Sequence, residues 1–165
     1  MNKNNTTIVL IHGLWMTPLS WEHWIERYTV KGYRVIAAAW PSLGGDIDEL
    51  RRDPSSIAKL GLTEIVGHYE GIIRGLDAPP IIMGHSFGGL ISQILLDRSL
   101  GMAGVAIGTA PVKGIFFLPF STLKVSFPGL SNPANNHRAV PLSPEQFHYA
   151  FTNTLTQRAS HWFDQ

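Results

Sequence analysis

One serine in this chain stands in a setting that could activate it. Gly84-His85-Ser86-Phe87-Gly88 places Ser86 between two glycines, after the apolar run Ile81 to Met83 and before a segment of helical spacing from Phe87 to about Leu100. A G-x-S-x-G pattern between a strand and a helix is the pattern of a nucleophile elbow. The turn is so tight that the serine backbone is strained, and Gly84 and Gly88 are needed where a side chain would strike the neighbouring strand or helix. Ser86 is thereby pushed out at the top of a sheet. The Phe87 amide lies at the positive end of the new helix, where an oxyanion would form. The chemistry implied is attack of a hydroxyl on a carbonyl and formation of an acyl-enzyme.

An oxyanion needs a second donor. His12-Gly13-Leu14-Trp15 follows the first apolar run, and the N–H of Leu14 is the natural choice. Trp15 is a candidate lining residue for an acyl pocket. Phe116 and Phe117, in the run FFLPF, either line that pocket or pack a lid. The base is harder to find. Beyond the elbow stand His137, His148 and His161, and between Asp97 and Asp164 the single acid is Glu145. His161 and Asp164 are either a substitute dyad, acting in this chain or across a dimer, or part of a solvated tail. His12 reads as a turn histidine bonded to backbone, and His85 as a residue packed at the helix start. His23 and His68 read as surface or satisfied core groups. No histidine pair has metal-ligand spacing, and Asp46, Asp48 and Glu49 are too few for a calcium loop, so neither metal nor cofactor is expected.

Short apolar strands must carry these residues. Thr6 to Ile11, Tyr33 to Trp40, Ile81 to Met83 and Gly104 to Ala110 read as buried strands. Helices are expected from Pro18 through WEHWIERYTV, from Ile57 to Leu76 and from Phe87 to about Leu100, with Trp21 and Trp24 sharing a core face. The alternation predicts an α/β fold: a mainly parallel four-stranded sheet with flanking helices. After Pro111 the sequence becomes rich in proline and aromatic residues, with little strand pattern. Ser143-Pro144-Glu145 should start one short helix, the serine serving as its cap. The expected division is a core at 1–111 and a lid-like segment with a tail at 112–165.

With IVLIHG, MGHSFGG and the lid-like stretch in this order, the chain resembles the α/β-hydrolase family over roughly residues 6 to 130. It looks most like the compact, lid-bearing esterase, lysophospholipase and haloperoxidase-like members. The resemblance implies an eight-stranded sheet, of which this chain holds the strands usually numbered three to six. It also implies Ser86 as nucleophile and the amides of Leu14 and Phe87 as oxyanion hole. In that family two further βα units deliver the acid and then the histidine. Each needs on the order of 30 residues, and about twenty remain after Ser143. The expectation is therefore an incomplete, C-terminally truncated hydrolase fold.

Bulk properties narrow the function further. The 165 residues carry a net charge of +1 without a basic stripe, so nucleic acid is not an expected partner. There is no cysteine for disulfides or thiolate sites. The start, MNKNNTTIVLIHG, lacks the apolar region of a signal peptide, and no run approaches the ~18 apolar residues of a membrane span, so a cytoplasmic location is expected. An exposed edge at the fourth strand, or the phenylalanine-rich segment, should drive assembly into a homodimer or larger oligomer. The function expected is hydrolysis of small apolar carboxylic esters through Ser86. The alternative is a weak or inactive hydrolase-like domain that binds apolar ligands or assembles with partner chains.

Overall fold

In a computed structural model of the chain, the described residues are 6–44, 52–53, 55, 57–58, 60–115 and 120–156. They fall into two compact units, Met1–Lys113 and Gly114–Gln165.

In the first unit, the run TIVLI has no polar side beyond Thr7, so both of its faces must be covered. It forms β1, Thr7–Ile11, buried along its whole length. β1 pairs in parallel with β2, Arg34–Ala37, on one side and with β3, Ile81–His85, on the other. β4, Ala103–Ile107, pairs in parallel with β3, so the sheet order is β2-β1-β3-β4. Strand side chains alternate between faces. Ile8 and Leu10 pack with Trp21 and Met83, against Ile25 and Tyr28 of helix α1, Glu22–Val30. Val9 and Ile11 belong to the other core with Ile65, Tyr69 and Ile73 of α2, Leu62–Arg74, and Ile91 and Leu95 of α3, Phe87–Asp97. Helices therefore cover both faces of an all-parallel sheet, the arrangement the alternating pattern predicts.

Several boundaries differ from the sequence expectation, each for a visible reason. β2 stops at Ala37 instead of Trp40. The carbonyls that would have continued its ladder accept from helix α2: Tyr69 Oη–H donates to Ala38 O at 2.7 Å, and His68 Nε2 lies 3.1 Å from Ala39 O. β3 runs on to His85, because Gly84 and His85 still pair with Ala106 and Ile107. β4 ends at Ile107, where Gly108 turns with a positive φ of 49°. The segment from Pro18 begins as a 3₁₀ turn, Pro18–Trp21, capped by Thr17, and becomes α-helical only at Glu22. Trp21 is buried but Trp24 is 37% exposed, so only the first is a core residue; their rings meet edge to face at 5.4 Å. Helix α2 starts at Leu62, after Gly61, instead of Ile57.

The second unit holds a helix that the sequence pattern did not disclose: α4, Phe120–Leu130, with Pro128 inside its last turn. Asn135, in the 3₁₀ turn Pro133–His137, donates its amide to the carbonyls of Pro128 and Gly129 at 3.0 and 3.2 Å. The expected short helix is α5, Pro144–Phe151. Ser143 Oγ accepts from the Gln146 amide, and the Gln146 side chain accepts from the Ser143 amide, a complete capping box. Phe147 is buried and lies 5.0 Å from the Phe151 ring.

Candidate active site

From β1 the chain runs to one side of the sheet to make β2, then crosses back to the other side for β3. The crevice of such a sheet opens where the winding reverses, at the carboxyl ends of the two strands on either side. Here those strands are β1 and β3. The segments that leave them are His12 to Trp15 and the turn at Ser86.

Ser86 joins β3 to α3 with φ 55° and ψ −118°, a conformation that costs a non-glycine residue energy. Its backbone is clamped from several directions. Its N–H donates to Ile107 O at 3.0 Å, and its carbonyl accepts from Gly89, Leu90 and Ala110 at 3.0, 3.3 and 2.9 Å. The flanking glycines are required by space. A Cβ on Gly84 would lie 2.0 Å from Gly88 O, and a Cβ on Gly88 would lie 2.1 Å from Ile11 O. The start of α3 thus rests on the end of β1.

The same closeness brings the other segment to the serine. A Cβ on Gly13 would lie 3.0 Å from Ser86 Cβ and 3.2 Å from His85 O. Leu14 follows, 39% exposed, and then Trp15, partly buried and held at a positive φ of 58°. Among the described residues, neither the Leu14 nor the Phe87 amide donates to a backbone carbonyl. The Phe87 amide stands in the first turn of α3, at a helix N-terminus where the dipole favours negative charge.

The histidines divide clearly. His12 is buried, its Nδ1 is 3.0 Å from Gly13 O, and burial pushes its pKa down to about 4, from 6.5. Its ring stacks on Trp40 at 4.9 Å, and Trp40 in turn lies 5.7 Å from Phe87. His85 is half-buried, and desolvation lowers its pKa. With its pKa near 4, His12 would be a weak base. His68 is tied to Ala39 O, and the exposed His23 lies 3.7 Å from Glu22. In the second unit, His148 Nδ1 lies 3.3 Å from Thr152 Oγ1. The side chain of His137, together with Phe116, Phe117, His161 and Asp164, lies outside the described residues, as do Asp46, Asp48 and Glu49. Among the described residues, no three His, Asp or Glu side chains gather as they would around a metal, and no helix is long and apolar enough to cross a membrane.

Sequence reasoning missed Trp40. It stands three residues beyond the end of β2, and its place beside His12 and Phe87 follows from strand order, which single-sequence spacing does not encode. Gln93 and Thr109 were also missed. Gln93 Nε2 donates to Thr109 Oγ1 at 2.8 Å, joining α3 to the segment after β4.

Comparison with known proteins agrees with this geometry. The model of the alpha/beta hydrolase family matches residues 8–165, and the chain belongs to that family. A comparison with curated proteins gave no match. Among solved structures, an extracellular alpha/beta-hydrolase from a Paenibacillus species is similar at 25% identity and a TM-score of 0.74, over 96% of this chain and 64% of that one. It is described as sharing structural and functional homology with tobacco salicylic acid binding protein 2. A methylesterase from Arabidopsis is similar in fold, with 14% identity and a TM-score of 0.67, over 95% of this chain and 63% of that one. Polyneuridine aldehyde esterase also shares the fold, with 14% identity and a TM-score of 0.59, over 97% of this chain and 68% of that one. The chain thus spans a little under two thirds of the length of the first two.

Proposed function

We propose that this chain acts on small apolar carboxylic esters, with Ser86 as nucleophile and the N–H groups of Leu14 and Phe87 as oxyanion hole. The observation that carries this reading is the strained Ser86 backbone, φ 55°, clamped at the β1–β3 crevice with Gly13 packed against its side chain. Strain held by so many hydrogen bonds marks a position that the fold over-determines. The names of the Arabidopsis and polyneuridine aldehyde relatives, both esterases, agree with an ester as substrate.

In the reaction, Ser86 Oγ attacks the ester carbonyl carbon and passes its proton to a base. The carbonyl oxygen becomes an oxyanion that the Leu14 and Phe87 amides stabilise. Collapse expels the alcohol, which takes a proton, and leaves an acyl group on Ser86. Water then attacks the acyl carbon, releases the acid and restores the serine. Trp15, beside the oxyanion segment, would line the acyl side. For the base, the candidates within this chain are His161, paired with Asp164, and His148.

The test compares hydrolysis of p-nitrophenyl butyrate by the chain and by Ser86→Ala. The proposal expects turnover that the substitution removes. Equal rates would make the elbow a relic and favour a domain that binds apolar ligands or assembles with partners.

A further inference from the structure

We infer that Gln93 and Thr109 are positioning residues for the nucleophile: they clasp the segment after β4 onto the backbone of Ser86 and so hold that residue in its strained conformation. The inference rests on the ester-hydrolase reading above and adds two residues to it.

The end of β4 grips Ser86 at both of its backbone polar groups. Ser86 N–H donates to Ile107 O at 3.0 Å, and Ser86 O accepts from the Ala110 amide at 2.9 Å. Between these two contacts the chain must turn back, and Gly108 makes the turn with a φ of 49°. The Ile107 contact prolongs the ladder of β3 and β4. The Ala110 contact has no such support, since it lies beyond β4, next to the exposed Gly108 and Thr109. A lone backbone bond in that setting opens easily. Side chains supply the missing hold. Gln93 Nε2 has two hydrogens to give. One goes to Gly89 O at 3.3 Å, in the same helix, and the other to Thr109 Oγ1 at 2.8 Å. Thr109 Oγ1 accepts that bond and donates its own proton to Ala110 O at 3.0 Å. The donors therefore run in one direction, from the Gln93 amide through the Thr109 hydroxyl to the Ala110 carbonyl, while the N–H of Ala110 closes on Ser86. Thr109 also rests on the first turn of α3, because a Cβ on Gly89 would lie 2.9 Å from both its Cβ and its Oγ1. The clasp thus fastens the segment to the helix turn that Ser86 opens. Strain at φ 55° and ψ −118° persists only while the surroundings enforce it. If Ala110 let go, Ser86 could relax, and its Oγ would leave the line of attack.

The experiment uses the full chain, labelled with ¹³C and ¹⁵N, and three variants. Thr109→Val keeps the side-chain shape and removes the hydroxyl. Gln93→Leu removes the amide and leaves the segment itself untouched. Thr109→Ser keeps the hydroxyl. Two readouts need no turnover: hydrogen exchange of the Ala110 amide, and the ¹³C shifts of the Ser86 α and β carbons, which report its backbone dihedrals. Thr109→Val and Gln93→Leu should show faster exchange and displaced Ser86 shifts, and Thr109→Ser parental values. With p-nitrophenyl butyrate, kcat should fall on the order of tenfold in the first two with KM unchanged, and return in Thr109→Ser. A clasp that served stability alone would lower the urea midpoint and leave kcat and the Ser86 shifts of the folded chain where they were. That result would overturn the inference, as would a Thr109→Ser variant that behaves like Thr109→Val. The Ser86 reading is judged separately, by whether Ser86→Ala abolishes hydrolysis. If the parent shows no hydrolysis that depends on Ser86, that reading falls, and the Ala110 exchange and Ser86 shifts alone decide for Gln93 and Thr109.

Discussion

At the scale of single residues, the site is a matter of clearance. Gly88 lets α3 start against the carbonyls of Ile11 and His12, which a Cβ would approach to 2.1 and 2.6 Å. Backbone oxygens on a buried strand have little room to give. Gly88→Ala should therefore cost stability by about 1–3 kcal/mol or more, read from urea unfolding midpoints. Gly13→Ala is a milder case, since the atom it meets at 3.0 Å is the Ser86 Cβ itself. It should fold and should lower kcat more than it raises KM, because it displaces the nucleophile and not the substrate pocket. A Gly13→Ala variant with parental kcat would separate Gly13 from Ser86. The tight turn at Ser86 and its need for Gly84 and Gly88 were legible in the sequence because they come from local backbone geometry at short spacing. The part of Trp40 was not, because its contacts with His12 and Phe87 join the ends of two strands to a third.

At the scale of elements, strand identity and order follow from the hydrophobic pattern more faithfully than element ends do. TIVLI announces a doubly covered strand, whereas YRVIAAAW continues its apolar run past the point where pairing stops. Ala38 and Ala39 turn their carbonyls to Tyr69 and His68, and that exchange depends on a helix some thirty residues away. Helix α4 was hidden by Pro128, which removes a donor inside the helix; Asn135 caps the end of that helix, donating to the carbonyls of Pro128 and Gly129 in its last turn. The Ser143 cap was readable, being wholly local. Ser143→Ala should destabilise α5 by about 1 kcal/mol, seen as faster amide hydrogen exchange along Pro144–Phe151. Unchanged exchange there would show that packing of Phe147, not the cap, sets the helix.

At the scale of the whole molecule, two properties follow from burial and exposure. His12 is held neutral in the fold with a pKa near 4, against 6.5 for an unburied imidazole. Between these values the unfolded chain binds more protons than the folded one, so stability rises with pH through this window. The contribution is complete above pH 6.5 and is lost as pH falls to about 4; a shift of this size corresponds to roughly 3 kcal/mol. His85, shifted the same way by burial, adds to the trend. Urea midpoints of the parent should fall across that range and those of His12→Phe should fall less; parallel curves would contradict the assignment. The second property is the outer strand of the sheet. Among the described residues β4 pairs with β3 alone, and its first four residues, Ala103 to Ala106, are exposed. Small side chains and an open ladder favour pairing with another chain, and we propose that the protein self-associates through this edge. Light scattering at working concentration should give a dimer or larger species, and a monodisperse monomer would refute this.

The central claim is that Ser86 becomes covalently acylated. The direct measurement is rapid mixing with p-nitrophenyl butyrate, followed by acid quench and peptide mass mapping. The account predicts a burst of nitrophenolate approaching one equivalent per chain, a butyryl group on the peptide that carries Ser86, and neither in Ser86→Ala. A burst that survives the substitution, or a butyryl group found only on other residues, would contradict it.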